Sequence, residues 1–308
     1  MRPVLVRLAP CRVVPRPSLR VLLEFVKIEH SLFALPFVLA GVALGLRAEG
    51  LPAFSNEGLR ILALALIAAV AARTGAMTLN RIVDAAIDAR NPRTAARALP
   101  AGALTMRQAW ALAIASFAAL VAAAALLNPL VLALSPVLVA LFFLYPYTKR
   151  FTAWCHFVLG LALGAAPVGG FLAVTGTFGS AEPALLLAAF ATLWVAGFDV
   201  IYALLDVEVD RREGLHSVPA RYGVSEALVF SSTLHVIMLV PLGTLTLFFL
   251  PLSSAMIAAI VAIVALLAVE HYLADPNDPA KVNRAFFAVN AVLGWVLLAG
   301  VLGSLAGY

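Results

Sequence analysis

Apolar residues in this chain neither alternate nor form a helical stripe. They run on for about two dozen positions at a time and are then interrupted by short polar clusters. Nine such runs can be delimited, at roughly 20–46, 59–88, 105–127, 129–145, 152–174, 184–206, 225–250, 252–272 and 283–305. About 20 apolar residues span the hydrocarbon of a bilayer. Inside it, backbone polar groups are satisfied only by helices or closed barrels. Unbroken rather than alternating runs select helices. Pro241 is expected to kink the seventh, because proline removes a backbone donor and crowds the preceding turn. The pattern predicts an all-α integral membrane protein with about nine transmembrane helices.

Composition agrees. The chain has 308 residues, is 63% hydrophobic and has a mean hydropathy of +1.02. Only 12% of its residues are charged, against about 25% in soluble domains. Positions 20–308 therefore read as one membrane domain, preceded by a basic tail, 1–19, that carries Arg2, Arg7, Arg12 and Arg16 and no acid. That tail has no apolar core followed by a cleavage site, so it is not a secretory signal. Its prolines and scarce serine weigh against a mitochondrial transit peptide. It is expected to be disordered, against the cytoplasmic leaflet.

Charge sets the orientation. Of 21 Lys and Arg residues, all but Arg47 and Arg60 fall on one side of the nine-helix arrangement. The positive-inside rule makes that side cytoplasmic, with the N-terminus in and the C-terminus out. This suggests an inner, cytoplasmic membrane. A net charge of +5 suits anionic lipid and an anionic substrate. Nucleic acid is not expected, since no basic soluble module is present. Cys11 and Cys155 are too few and too scattered for a disulfide framework or a metal cluster.

Against so few charges, two acidic clusters stand out at the ends of apolar runs. Arg73, Asn80, Asp84 and Asp88 are spaced i, i+7, i+11 and i+15, one face of a helix that continues through 88. Asp199, Tyr202, Asp206 and Asp210 repeat that geometry at i, i+3, i+7 and i+11. The bland reading is a solvated helix end. Arg73 argues against it, since an ionisable group well inside an apolar run is costly and is usually paired or functional. Hard cations such as Mg²⁺ take oxygen ligands, typically one or two carboxylates with phosphate oxygens and water. Two facing Asp-x-x-x-Asp pairs thus point to two cations and a phosphorylated ligand.

Around these residues the chain resembles the UbiA-type intramembrane prenyltransferases. Asn80-Arg81-x-x-Asp84-x-x-x-Asp88, continuing through Ala89-Arg90-Asn91-Pro92-Arg93-Thr94 to Leu99-Pro100-Ala101-Gly102, is similar to the family's first aspartate-rich motif. Gly197-Phe198-Asp199-Val200-Ile201-Tyr202-Ala203-x-x-Asp206-x-x-x-Asp210 resembles the second. Lys27 to Pro36 resembles the first helix, and Tyr145-Pro146-Tyr147-Thr148-Lys149-Arg150 the loop after the fourth. The chain departs from the commonest pattern at Arg81, where many members carry Asp, and at His216, where Lys is frequent.

The resemblance implies helices around a central cavity, a Mg²⁺ requirement and transfer from a polyprenyl diphosphate to an aromatic acceptor. Asn80, Asp84, Asp88, Asp206 and Asp210 would hold the metal. Lys149, Arg150, Arg81, Arg73 and Lys27, with Tyr145, would meet the substrates. Tyr202 would face the allylic cation, with Phe198, Trp194 and Phe33 as further aromatic candidates. Asp199 would orient the acceptor's hydroxyl. The expected acceptor is a hydroxylated aromatic acid, 4-hydroxybenzoate for ubiquinone or a dihydroxynaphthoate for menaquinone, and no protein partner is implied. A secondary transporter is the alternative of another class, but it would place broken helices near the midplane, whereas these acids sit at helix ends. A phosphatidyltransferase would carry a single Asp-rich motif of a different pattern.

His156, His235 and His271 fall singly on apolar runs and read as structural, while His30 would lie near a cavity mouth. Asn283 and Asn290 are expected to join helices by hydrogen bonds. Gly75, Gly160, Gly164, Gly169 and Gly170 are expected at close helix contacts.

Overall fold

The computed structural model describes residues 17–27 and 31–307. Cys11, Glu29, His30 and most of the basic tail lie outside them. Among the described residues all regular structure is helical. Eight helical stretches are long and apolar enough to cross a membrane, and a ninth, Phe33–Ala48, is shorter. Among the described residues, each of the nine apolar runs corresponds to one of these stretches.

The first run is divided. α1 (Leu19–Val26) is capped by Ser18 and closed at Lys27, a left-handed residue (φ 50°) whose N–H bonds back to Glu24 and Leu23. Such a closure ends a helix, so Lys27 caps α1 instead of lying on a long first span. α1 is amphipathic: Phe25 and Val26 pack against Ile82, Leu104 and Ala109, while Arg20 pairs with Glu24 in the open. α2 (Ser31–Ala48) starts the bundle proper.

α3 (Asn56–Arg90) has 35 residues. At 1.5 Å each that is roughly 52 Å, against ~30 Å of hydrocarbon. The surplus turns carry the first acidic motif beyond the apolar layer. α4 (Met106–Leu127) begins with a capping box between Thr105 and Gln108. α5 (Pro129–Thr148) begins at Asn128 with proline in its first turn, where the missing N–H costs nothing. α6 (Cys155–Thr175) and α7 (Glu182–Tyr202) follow.

Successive spans alternate in direction, so α3, α5 and α7 all end on the same side. α7 is the most enclosed span, with Leu187, Phe190 and Trp194 fully buried in the main core. It approaches α6 closely at Gly160 and Gly164, where a Cβ would overlap Thr192 and the Ala188 carbonyl. Gly169 has open space around it, so close contact does not explain that glycine.

The second acidic motif departs from a single helix. α7 ends at Tyr202, tightens into a 3₁₀ turn over Ala203–Asp206, and resumes as α8 (Val207–Arg212). A 3₁₀ turn winds more tightly than an α-helix, so the expected stripe is not continuous. α9 (Val218–Tyr222) leads into α10 (Val224–Ile237) and α11 (Leu239–Phe248). The break between these two falls at Met238, just after Ile237, whose carbonyl the Pro241 ring displaces. α12 (Ser254–Leu273), α13 (Pro279–Arg284) and α14 (Asn290–Ala306) complete the chain, with a π turn over Ala285–Val289 joining the last two.

A second polar cluster lies inside the bundle beside that π turn. Asn290 donates to Glu270 Oε1 at 2.7 Å and to the Phe286 carbonyl at 3.1 Å, and accepts from Trp194 Nε1 at 2.8 Å. His235 meets His271 at 2.9 Å and the Trp194 carbonyl at 3.2 Å. Glu270 and Asn290 are both fully buried. Asn290 therefore joins helices as expected, whereas Asn283 bonds to the Pro279 carbonyl of its own helix.

Candidate active site

The ends of α3, α5 and α7 and the loops after them enclose one cavity of about 170 Å³. That is below the ~300 Å³ usual for a whole small-molecule site, so it suits a polar head group. Its wall contains Asn80, Asp84 and Asp88 from α3, Tyr145 from α5, Lys149 beyond it, and Asp199 and Tyr202 from α7. Asp206 and Asp210 also line it. The 3₁₀ turn interrupts the second motif without removing any of its four polar members from the cavity.

Each acid in that wall is met by a specific partner. Lys149 Nζ donates to Asp84 Oδ2 at 2.6 Å, and Arg97 Nη1 to Asp88 Oδ1 at 2.7 Å. Arg93 forks onto both oxygens of Asp206 and donates to Tyr202 Oη at 2.9 Å. Asn91 adds a bond to Asp206 at 2.8 Å. Ser217 Oγ donates to Asp210 at 2.5 Å, and His156 Nδ1 meets Asp199 Oδ2 at 2.7 Å. Tyr202 is stacked on Phe286 with ring centroids 4.1 Å apart.

Burial opposes the charged form of Arg93, but its bonds to Asp206 and Tyr202 outweigh this and raise its pKa above the ordinary arginine value. At the rim, Arg90 bonds Glu213 and holds that carboxyl below its usual range. This pair ties the end of α3 to the end of α8.

The oxygen-rich wall fits a hard divalent cation that arrives with its own oxygen ligands. Asp84 Oδ1 and Asp88 Oδ2 are buried and have no hydrogen-bond partner, so both keep lone pairs for a metal. Among the described residues no three His, Cys, Asp or Glu side chains are gathered into a ready-made metal cluster. A cation held here would take its remaining ligands from phosphate oxygens and water, as is usual for Mg²⁺.

Four residues expected at the site lie outside this wall. Arg73 is on α3 and is not among the residues that line the cavity. Arg81 is buried, with Nη1 4.0 Å from Asp88. Arg150 turns back to the Val83 carbonyl at 3.0 Å and covers the Tyr147 ring. Lys27 caps α1. Trp194, Phe198 and Phe33 belong to the aromatic core behind Phe286. Conversely, Asn91, Arg93, Arg97, His156 and Ser217 line the cavity without having been singled out by helical spacing. The first three follow directly on the first motif, and that basic run was their signal.

Comparison with known proteins agrees with this architecture. A model described as the UbiA prenyltransferase family matches residues 34–292. The chain is 30% identical over 267 residues to the 4-hydroxybenzoate octaprenyltransferase of Hydrogenovibrio crunogenus, covering 84% of this chain and 88% of that one. The apo structure of a UbiA homolog from Aeropyrum pernix aligns with a TM-score of 0.76 at 34% identity, covering 89% of this chain and 98% of that one. The structure of a UbiA homolog from Archaeoglobus fulgidus bound to GPP and Mg²⁺ shares the fold, with a TM-score of 0.69 at 18% identity over 93% of this chain and 99% of that one. The chain belongs to the UbiA prenyltransferase family.

Proposed function

We propose that this protein transfers a polyprenyl group from a polyprenyl diphosphate to a hydroxylated aromatic acid of the 4-hydroxybenzoate type, with Mg²⁺ as cofactor. The observation that carries this reading is the meeting of both Asp-x-x-x-Asp pairs and three basic side chains in one cavity wall. The similarity to a protein named 4-hydroxybenzoate octaprenyltransferase supports the choice of acceptor.

Asn80, Asp84, Asp88, Asp206 and Asp210 are the residues that would hold Mg²⁺. When bound, the metal neutralises the diphosphate and makes it a better leaving group. Lys149, Arg93 and Arg97 now pair with carboxylates, and a diphosphate offers them a more highly charged partner. Arginine suits that role because its planar fork matches phosphate geometry. Arg81 and Arg150, just behind the wall, add positive potential. Tyr202 presents an aromatic face to the allylic cation, and Tyr145 bounds the same space. Asp199 accepts the acceptor's hydroxyl proton, which activates the ring carbon for attack. Arg73, deeper on α3, is assigned to the acceptor's carboxylate.

The excess of Lys and Arg at the cavity end supports a cytoplasm-facing site in the cytoplasmic membrane. The test uses purified protein, Mg²⁺, one long prenyl diphosphate and a panel of aromatic acids, read by mass spectrometry. The expected product is prenylated 4-hydroxybenzoate. Turnover of a dihydroxynaphthoate alone would move the protein to menaquinone synthesis, and no product with any acid would overturn the reading.

A further inference from the structure

His156 falls singly on an apolar run, where a structural role is the ordinary expectation. In the folded chain it faces the cavity between α6 and α7, and both its ring nitrogens are engaged. The backbone N–H of Val218 donates to Nε2 at 3.2 Å. That nitrogen must therefore carry the lone pair, so the neutral ring bears its proton on Nδ1. Nδ1–H then donates to Asp199 Oδ2 at 2.7 Å. The histidine side chain is 3% exposed and that of Asp199 is 20% exposed. Asp199 lines the cavity, so one of its edges is held by the imidazole and the rest of the group faces the ligand space.

This arrangement fixes both the tautomer of His156 and the orientation of the acid. An ionised carboxylate is an acceptor at both oxygens, and a donor locked onto one leaves the other to take a proton. Val218 follows Ser217, whose hydroxyl bonds Asp210. Consecutive residues at the start of α9 thus touch the metal-binding side and the acceptor side of the cavity.

We propose that His156 is a positioning residue that holds Asp199 as an oriented proton acceptor for the aromatic substrate's hydroxyl group. In that step the acceptor's O–H bond breaks and its proton passes to the Asp199 carboxylate. The electron pair left on oxygen is delocalised into the ring, whose carbon forms the new bond to the prenyl carbon as the prenyl C–O bond breaks and diphosphate leaves. That ring carbon then loses its hydrogen as a proton to the departing diphosphate, and the oxygen of the restored aromatic ring takes back its proton from Asp199. The proposal rests on the prenyl-transfer reading above.

The test compares purified wild type, His156→Leu and His156→Gln at saturating Mg²⁺. Glutamine can reproduce both bonds, its amide N–H to Asp199 and its carbonyl to Val218, whereas leucine can make neither. Prenylation kinetics are measured alongside acceptor-free hydrolysis of prenyl diphosphate, which reports folding and the donor side. General bases contribute 10²–10⁴-fold, so a mispositioned one should lower kcat by ~10-fold or more. The expected result is that loss in His156→Leu with donor KM and hydrolysis unchanged, and recovery of most turnover in His156→Gln. Wild-type prenylation by His156→Leu would overturn the proposal and leave the prenyl-transfer reading standing. So would a parallel fall of prenylation, hydrolysis and melting temperature that glutamine does not rescue, since that marks a purely structural residue. Absence of product with the wild type would overturn both.

Discussion

Two polar clusters lie within this bundle, and they handle buried charge differently. At the ends of α3 and α7, Asp84, Asp88 and Asp206 are met by Lys149, Arg97 and Arg93 around an open cavity. Beside the π turn, Glu270 is fully enclosed and is met by the amide of Asn290, which is held in turn by the Trp194 indole. An unpaired charge in a low-dielectric interior is very costly, so it must be paired or satisfied by hydrogen bonds. The first cluster uses ionic partners that a ligand can compete for. The second uses neutral partners inside the bundle, with Glu270 Oε1 bonded to Asn290 and Oε2 left without a hydrogen bond, and Gly197 makes room for it, because a Cβ there would overlap the His235 ring. The first cluster is therefore built to exchange partners, and the second to join α7, α10, α12 and α14.

Substitutions should separate the two. The largest effect is expected at the cavity: Asp84→Asn or Asp206→Asn should reduce turnover by ~100-fold or more, the scale of removing one electrostatic contact to a transition state. The melting temperature in detergent should stay close to wild type. Wild-type rates in both variants would contradict the division. Asn290→Leu should do the reverse, leaving the Trp194 N–H and the Glu270 carboxyl without their partner. A stability loss of about 1–3 kcal/mol is expected, with kcat per folded molecule retained. If kcat fell while stability held, the inner cluster would belong to the catalytic machinery.

Legibility from sequence follows the same division. The apolar runs gave the number of rods because length and hydropathy alone decide a membrane span. Helical spacing identified Asn80, Asp84, Asp88, Asp199, Tyr202, Asp206 and Asp210, all of which line the cavity. It also included Arg73 in the cavity stripe, although the wall ends one stripe position further along, at Asn80. Lys27 belongs to the family resemblance rather than to spacing, and nothing in an apolar run announces its left-handed cap. His156 and Ser217 could not be found by spacing, because their partners Asp199 and Asp210 are brought to them by helix packing and by the loop before α9. The pairing of His235 with His271 was hidden for the same reason: they sit on separate helices, α10 and α12.

Smaller effects refine the picture at the cavity rim. Arg93→Ala removes a charge-assisted bond worth about 1.5–3 kcal/mol to a carboxylate or a phosphate. The donor KM should rise ~10-fold or more, the equivalent of 1.4 kcal/mol, with acceptor KM little changed. An equal rise in both would move Arg93 away from the diphosphate. The smallest expected effect is at Glu213. Arg90 lowers its folded-state pKa, so the folded chain binds that proton less readily than the unfolded one. The stabilisation is present above the unfolded value of about 4.3 and is lost as pH falls through the lower, folded value. Melting curves from pH 6 to pH 3 should therefore fall more steeply for wild type than for Glu213→Gln, and parallel curves would contradict the pairing of Glu213 with Arg90.

The most direct test of the exchangeable cluster is calorimetric binding of a short prenyl diphosphate to wild type and Asp84→Asn, each with Mg²⁺ and with chelator. The account predicts that the wild type binds tightly only with Mg²⁺, and that Asp84→Asn loses this metal-dependent gain while its melting curve stays intact. Equal affinity in all four measurements would contradict it, because the carboxylates would then hold no metal that the diphosphate needs.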